Sequence, residues 1–317
     1  MLKPLLALAS LCGMLLAVPG QAATSLTIGD QFYYSSTLLE EAGELQDLPY
    51  AIQWKRFNAG GPVVEALNVG SIDVGIVGDT PVIALAARGG PIKVVAVTRN
   101  RLDGTAIVVG KDSPIHSVAD LAGKRVAIWK GSWSQQLVYS ALEQAGLPVD
   151  APQYHYLMPT EAIAALSQGA LDATATWEPY VSMVERQGGR ILVTAKNLMP
   201  APVYVVANTA HLEEHRAAIG DFVARLQRAR DWARQHVDIY AKAWARKNNS
   251  DPAIAESWFR RDATWVEPIS SQTLKDGQRT ADFLVRAGVL AAPYEVTGLY
   301  DQSFNHYLQP HPSEASR

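Results

Sequence analysis

The chain has 317 residues, a formal net charge of −3 and a charged fraction of 19%. Without a basic excess it lacks the phosphate-neutralising surface of a nucleic-acid binder, so no nucleic-acid partner is expected. Its length suffices for one large domain or for two lobes of roughly 100–150 residues each.

The N-terminus carries the first signal. Lys3 precedes an almost wholly apolar run over residues 5–17, and residues 19–23 (PGQAA) supply small side chains for cleavage. Such a run is short for a bilayer span, so residues 1–23 read as a secretory signal peptide. Cys12 is the only cysteine and falls inside this segment, behind the bulky Leu11 where a lipoprotein signal has a small residue. The chain after cleavage is therefore expected to have no disulfide, no thiol nucleophile and no cysteine metal site.

From Thr24 onward, short apolar runs alternate with amphipathic stretches. The runs predict strands over 26–29, 52–57, 74–77, 94–98, 106–110, 125–129, 154–156, 173–176 and 204–208. Helical spacing falls between them, over 62–69, 81–88, 134–144 and 160–168. Alternation of this kind predicts an α/β fold with parallel sheets covered by helices on both faces. After about residue 212 the pattern turns helical, over 214–247, 251–259 and 271–287, and the polar tail 310–317 is expected to be disordered.

One internal echo bears on domain organisation. Residues 66–73 (ALNVGSID) resemble residues 165–172 (ALSQGALD), and at the same offset Asp79 falls opposite Glu178. Each copy reads as helix, glycine stop, short strand, then an acidic residue near a proline that starts the next helix. Two lobes of similar construction facing each other across a cleft would produce this repeat.

In such sheets ligands bind outside the carboxyl ends of the strands, where loops enter helix N-termini. Four loops qualify: Asp30 through Ser36, Gly78 to Pro81, Lys130 to Ser134, and Trp177 to Tyr180. The second and third suit an anion. Thr80 precedes Pro81 at a helix start, where unpaired amides and the dipole's positive end project forward. Gly131 admits close backbone approach, while Ser132 and Ser134 add hydroxyls. Plain capping is the alternative for Thr80 and Ser134. Trp133 and Trp177 would wall an apolar ligand tail, with ordinary packing as the alternative. Asp79 and Glu178 repel an anion, so hydrogen-bonding roles, or contact with an ammonium group, are expected for them.

These same residues carry a family likeness. Residues 54–81 (WKRFNAGGPVVEALNVGSIDVGIVGDTP), 112–132 (DSPIHSVADLAGKRVAIWKGS) and 176–180 (TWEPY) resemble the alkanesulfonate-binding periplasmic proteins of ABC importers. The resemblance implies a type II periplasmic binding protein fold with two lobes of mixed, mainly parallel sheet flanked by helices. Lobe I is expected over 24–109 and 203–317, and lobe II over 110–202. It implies capture of a small organosulfur anion in the periplasm, a sulfonate or sulfate ester, and delivery by a monomer to an importer permease at the inner membrane. Taurine, nitrate or a pyrimidine precursor are the alternatives on the same fold. Carried across residue by residue, the likeness puts Gln31, Gly61, Asp79, Thr80, Gly131, Ser132, Trp177 and Glu178 around the ligand, with Arg261 as a positive charge. Phe32, Tyr33 and Trp133 depart from the family pattern by adding aromatic bulk, which predicts an aryl or longer-chain ligand.

No cofactor, metal or catalytic residue is expected. Enzymes share this general fold, and residues 211–215 (HLEEH) match a zinc-site spacing, but at the start of a charged helix they read as solvated surface.

Overall fold

The structure, a computed structural model, describes residues 24–310. The expected signal peptide over 1–23, Cys12 and tail residues 311–317 lie outside the described residues. In chain order the elements are β1 (Ser25–Gln31), α1 (Tyr34–Glu41), β2 (Ala51–Phe57), α2 (Gly60–Asn68), β3 (Val74–Gly78), α3 (Asp79–Ala87) and β4 (Ile92–Arg99). There follow β5 (Thr105–Val109), β6 (Arg125–Ile128), α4 (Trp133–Gln144), β7 (Gln153–Tyr156), α5 (Pro159–Ser167), β8 (Ala173–Trp177), α6 (Tyr180–Arg186) and β9 (Arg190–Thr194). The chain closes with β10 (Val203–Asn208), α7 (Arg216–Gln235), α8 (Val237–Asn248), α9 (Pro252–Arg261), β11 (Trp265–Glu267) and α10 (Ser271–Arg286). Among the described residues no helix is long and apolar enough to cross a membrane.

Two sheets result, one in the order β11-β4-β10-β3-β1-β2 and the other β7-β6-β8-β5-β9. The first pairs β2, β1 and β3 in parallel and sets β10 antiparallel between β3 and β4. The second pairs β7, β6 and β8 in parallel and sets β5 antiparallel between β8 and β9. The two lobes thus share one plan, and in each the antiparallel strand is the one that arrives from the other lobe. The repeat read in the sequence is the signature of that plan. Gly70 and Gly169 stop α2 and α5 at φ of 68° and 71°, where a residue without Cβ is favoured. Asp73 then accepts the Thr27 amide at 2.7 Å, and Asp172 accepts the Arg125 amide at 2.8 Å. Each aspartate, one residue before its strand, ties it to the parallel neighbour, β3 to β1 and β8 to β6.

The boundary expected at 109/110 puts β5 in lobe I, whereas that strand pairs within the second sheet, with β8 and β9. An apolar run reports burial and not which sheet buries it, so the run gave no warning. Strands β9 and β11 were not expected, helices α1 and α6 were expected only as starts after the first and fourth loops, and the stretch 214–247 is two helices meeting at His236.

Side-chain alternation explains how both faces of each sheet are covered. Along β10, Val205 and Ala207 enter one core with Phe222, Leu226 and Trp244, while Tyr204 and Val206 enter another with Ile83, Phe283 and Leu284. Along β5, Ile107 and Val109 meet Leu137 and Leu142, and Ala106 and Val108 meet Ile163 and Val181. Close approach is enforced where α10 meets the first sheet. A Cβ on Gly277 would lie 2.0 Å from the Tyr300 hydroxyl, which shares a 2.8 Å hydrogen bond with Tyr204. Gly277→Ala is expected to destabilise the protein by about 1–3 kcal/mol in urea unfolding, because neither tyrosine can retreat in the packed core.

Candidate functional site

All four loops singled out in the sequence open on one cavity of about 330 Å³ between the two sheets. Its walls come from the carboxyl ends of β1, β3, β6 and β8 and from the first turns of the helices that follow them. Parallel strands that end side by side and feed helices necessarily gather helix N-termini at one edge, which is why the cavity forms there.

The first loop is held in an uncommon backbone shape. Phe32 and Tyr33 both adopt the left-handed region, at φ of 53° and 56°, and neither is glycine. The Phe32 amide donates to Phe57 O at 3.0 Å and Asn248 Nδ2 donates to Phe32 O at 2.8 Å. These bonds turn Phe32 onto the cavity wall, whereas Tyr33 lies under the Arg56 guanidinium, 5.2 Å from its ring centroid. The aromatic bulk expected from both residues comes from Phe32, with Tyr34 as its partner on the wall. Asp30 accepts the Ser35 and Ser36 amides at 2.9 Å each, which caps α1.

Gln31, Gly61, Thr80, Gly131, Ser132, Trp133, Trp177 and Glu178 all line the cavity, as do Trp129 and Trp258. Several are already engaged. Gln31 Nε2 donates to Ile76 O at 2.9 Å. The Gly131 amide donates to Gln135 Oε1 at 2.7 Å, at a φ of 68°. The Ser132 hydroxyl donates to Trp129 O at 2.6 Å and accepts the Ser134 amide at 3.2 Å. The serine hydroxyls in this loop therefore shape it and cap α4.

Asp79 and Arg261 stand behind the wall. Asp79 is fully buried, accepting Trp133 Nε1 at 2.6 Å and the Thr280 hydroxyl at 2.7 Å. Burial pushes its carboxyl up to about 6 against the pull of those two bonds. Trp133 comes from the second lobe and Asp79 from the first, so this bond fixes a cavity-wall ring across the lobe junction. Gly78 makes room for it, since a Cβ there would lie 2.8 Å from the ring. Arg261 bonds Glu178 at 2.5 Å and also pairs with Glu185. Glu178 accepts the Ser182 hydroxyl at 3.0 Å as well, and burial nonetheless raises its carboxyl. The arginine selected from the sequence is thus neutralised by two carboxylates.

A different arginine faces the cavity. Arg230, on α7, lines it while only 1% exposed, and its Nε and Nη1 find no hydrogen-bond partner among the described residues. Its guanidinium lies 4.2 Å from the centroid of the Tyr34 ring, which stacks on Trp258 at 4.8 Å. A sequence signal for it existed. Ile219, Phe222, Val223, Leu226 and Ala229 form the apolar stripe of α7, and Arg230 continues that stripe with a cation.

The remaining charge is Asp262, just past α9. Its Oδ1 is buried without a partner, while Oδ2 accepts a 3.3 Å bond from Asn100. Burial, then the nearby charges of Glu178 and Asp103, push this carboxyl up to about 7, although Arg261 and Arg230 pull it down. A carboxyl whose folded pKa is raised stabilises the fold below the ordinary value near 4 and loses that contribution as pH climbs towards 7. Asp262→Asn is therefore expected to be more stable than the parent at pH ~8, by on the order of 1–3 kcal/mol, and nearly equal to it at pH ~4. Urea unfolding of the ligand-free proteins at the two pH values measures this difference.

Much of the lining is apolar or aromatic, and one buried guanidinium on it has Nε and Nη1 without a partner among the described residues. His211 and His215 lie elsewhere, stacked at 5.8 Å, with His215 near Asp73 at 3.8 Å. Such a cavity suits the enclosure of an anion with an organic body.

Comparison with known proteins agrees with this geometry. The family model described as NMT1/THI5 like matches residues 55–238. An aliphatic sulfonates-binding protein of Escherichia coli (strain K12) is 36% identical over 266 residues, covering 81% of this chain and 82% of the relative. The crystal structure of the periplasmic aliphatic sulphonate binding protein SsuA from Escherichia coli has a TM-score of 0.82 at 31% identity, covering 91% of this chain and all of that one. The alkanesulfonate-binding protein SsuA from Xanthomonas axonopodis pv. citri, bound to MOPS, has a TM-score of 0.78 at 29% identity, covering 88% of this chain and 99% of that one.

Proposed function

This chain belongs to the NMT1/THI5-like family, and from that premise we propose that it is the periplasmic solute-binding protein of an ABC importer, enclosing an organic sulfonate between its lobes. The relatives named above as sulfonate binders match nearly the whole described chain, and their lobed architecture is the one found here. The observation that carries the proposal is Arg230. A guanidinium with two unpaired N–H groups in an apolar wall is costly unless an anion completes it. A sulfonate offers tetrahedral oxygens to a planar fork of donors, and the enclosed setting strengthens each charge-assisted bond. Helix starts at Gly60, Gly61 and Thr80, also on the wall, add positive dipole ends.

The body of the ligand is assigned to the tryptophans. Trp129 and Trp177 lie nearly parallel at 6.2 Å, and Trp133 meets Trp177 edge-on at 6.4 Å. Rings held this way favour an aryl or longer-chain substituent over a methyl group. Closure around the ligand would favour the lobe arrangement that a permease recognises.

Calorimetry with methyl-, octyl- and aryl-sulfonates tests the assignment. Affinity is expected to rise with the apolar body, and Arg230→Met is expected to weaken binding about 10- to 100-fold, the worth of one or two charged hydrogen bonds. Unchanged affinity in that variant removes the guanidinium from the site, and preference for methylsulfonate removes the aromatic wall.

A further inference from the structure

We propose that Asp79 and Glu178 are a matched pair of positioning residues, one from each lobe, which clasp the closed arrangement at the two places where the chain crosses between lobes. This rests on the reading of the cleft as one that closes around a ligand, and adds that part of the drive to close comes from the protein itself.

The internal repeat sets Asp79 opposite Glu178 in the sequence, and in space the two repeat each other's bonding. Each carboxylate accepts a hydroxyl of its own lobe: Thr280 reaches Asp79 at 2.7 Å, and Ser182 reaches Glu178 at 3.0 Å. Each also accepts an N–H from the other lobe. Trp133 Nε1 donates to Asp79 at 2.6 Å, and Arg261 Nη1 donates to Glu178 at 2.5 Å. The bond within the lobe aims the carboxylate, and the bond between lobes uses it. Both carboxylates are buried, so neither clasp is formed in open solvent.

Their placement suits a hinge. Among the described residues the chain passes between the two sheets over residues 100–104 and again over 195–202. The Asp79 amide donates to Pro202 O at 3.1 Å, at the end of the second crossing. Glu178 lies against the first, where a Cβ on Gly104 would come within 2.8 Å of its Cγ. Each crossing therefore has one clasp beside it. Rotation of the lobes about these crossings parts each donor from its carboxylate, and a hydrogen bond weakens steeply with distance and angle. The clasps thus favour closure in the same measure whatever the body of the ligand inside.

Stopped-flow binding of butyl-, octyl- and benzenesulfonate tests the pair in native protein, Asp79→Ala and Arg261→Met. Both residues stand behind the cavity wall. Each variant is expected to release ligand about 10-fold faster, by the same factor for all three sulfonates, with association within about twofold of native. Asp79→Asn, which still offers an oxygen to Trp133 and an amide to Thr280, is expected to restore most of the native release rate. Where Asp79→Ala does not fold, Trp133→Phe takes its place, since it removes the indole N–H and keeps a ring over Gly78. Native release rates in the variants, or factors that differ from one sulfonate to another, overturn the clasps and leave the sulfonate reading intact. If no sulfonate binds the native protein, the sulfonate reading fails, and small-angle scattering of ligand-free protein decides this one. Asp79→Ala combined with Arg261→Met is expected to have a larger radius of gyration than native, and an equal radius overturns the proposal.

Discussion

A guanidinium buried against aromatic rings with two donors unspent constrains everything around the cleft. Its desolvation is not offset by a carboxylate in contact, as that of Arg99 is by Glu267 at 2.7 Å and Asp276 at 2.5 Å elsewhere in the same lobe. What holds Arg230 in place is packing: the apolar stripe of α7 behind it and the Tyr34 ring over it. Tyr34 in turn depends on the left-handed pair Phe32 and Tyr33, which sets the direction in which α1 departs. Asp30 supplies a partial counter-charge, since Arg230 pulls its burial-raised carboxyl downward. The strained loop, the capped helix and the stacked rings are thus one arrangement for presenting a positive charge to an apolar cavity.

The opposite wall follows another logic. One ring there is positioned by a buried carboxylate of the other lobe. Asp79 grips the Trp133 indole from across the junction, and the missing side chain of Gly78 lets that indole lie flat against the strand end. Arg261 also crosses the junction, joining α9 of one lobe to Glu178 and Glu185 of the other, with Arg186 and Asp251 adding a bond at 3.1 Å. Acidic residues close to an anion site are tolerable because their charge is spent on such bonds before the ligand meets them.

Much of this was legible in the amino-acid order, for identifiable reasons. Nine β-type runs marked nine strands, most of them because the strand is buried on both faces, while the exposed edge strands β2 and β7 were marked by their β-branched and aromatic residues alone. The repeat marked the lobes because each needs a glycine stop and an aspartate tie at matching places. The strands that escaped notice are β9, half-buried throughout, and the three-residue β11 at a sheet edge. Helix α6 was readable as a start but not in extent because it has only seven residues, and α1 likewise because two aromatic residues gave no sign of turning a corner. At the cleft, loop membership was readable while side-chain direction was not. Asp79 and Ser132 were in the right loops yet bond to protein groups. Arg261 was taken from the family likeness and Arg230 was not singled out, although the physical clue lay with the cation on the apolar stripe.

The exchange of strands between lobes has a consequence for the order in which the molecule can be assembled. The second sheet uses only residues 105–194 and is complete once that stretch is available. The first sheet is not, because β3 and β4 are not neighbours: the lane between them belongs to β10, about a hundred residues further along. Until that strand inserts, two apolar edges stand open at the middle of the larger lobe, the kind of edge that invites pairing with another chain. Insertion of β10 closes both at once, so this lobe should be the slow, late-maturing half, with its rate set by the long sequence separation of the contacts it must make.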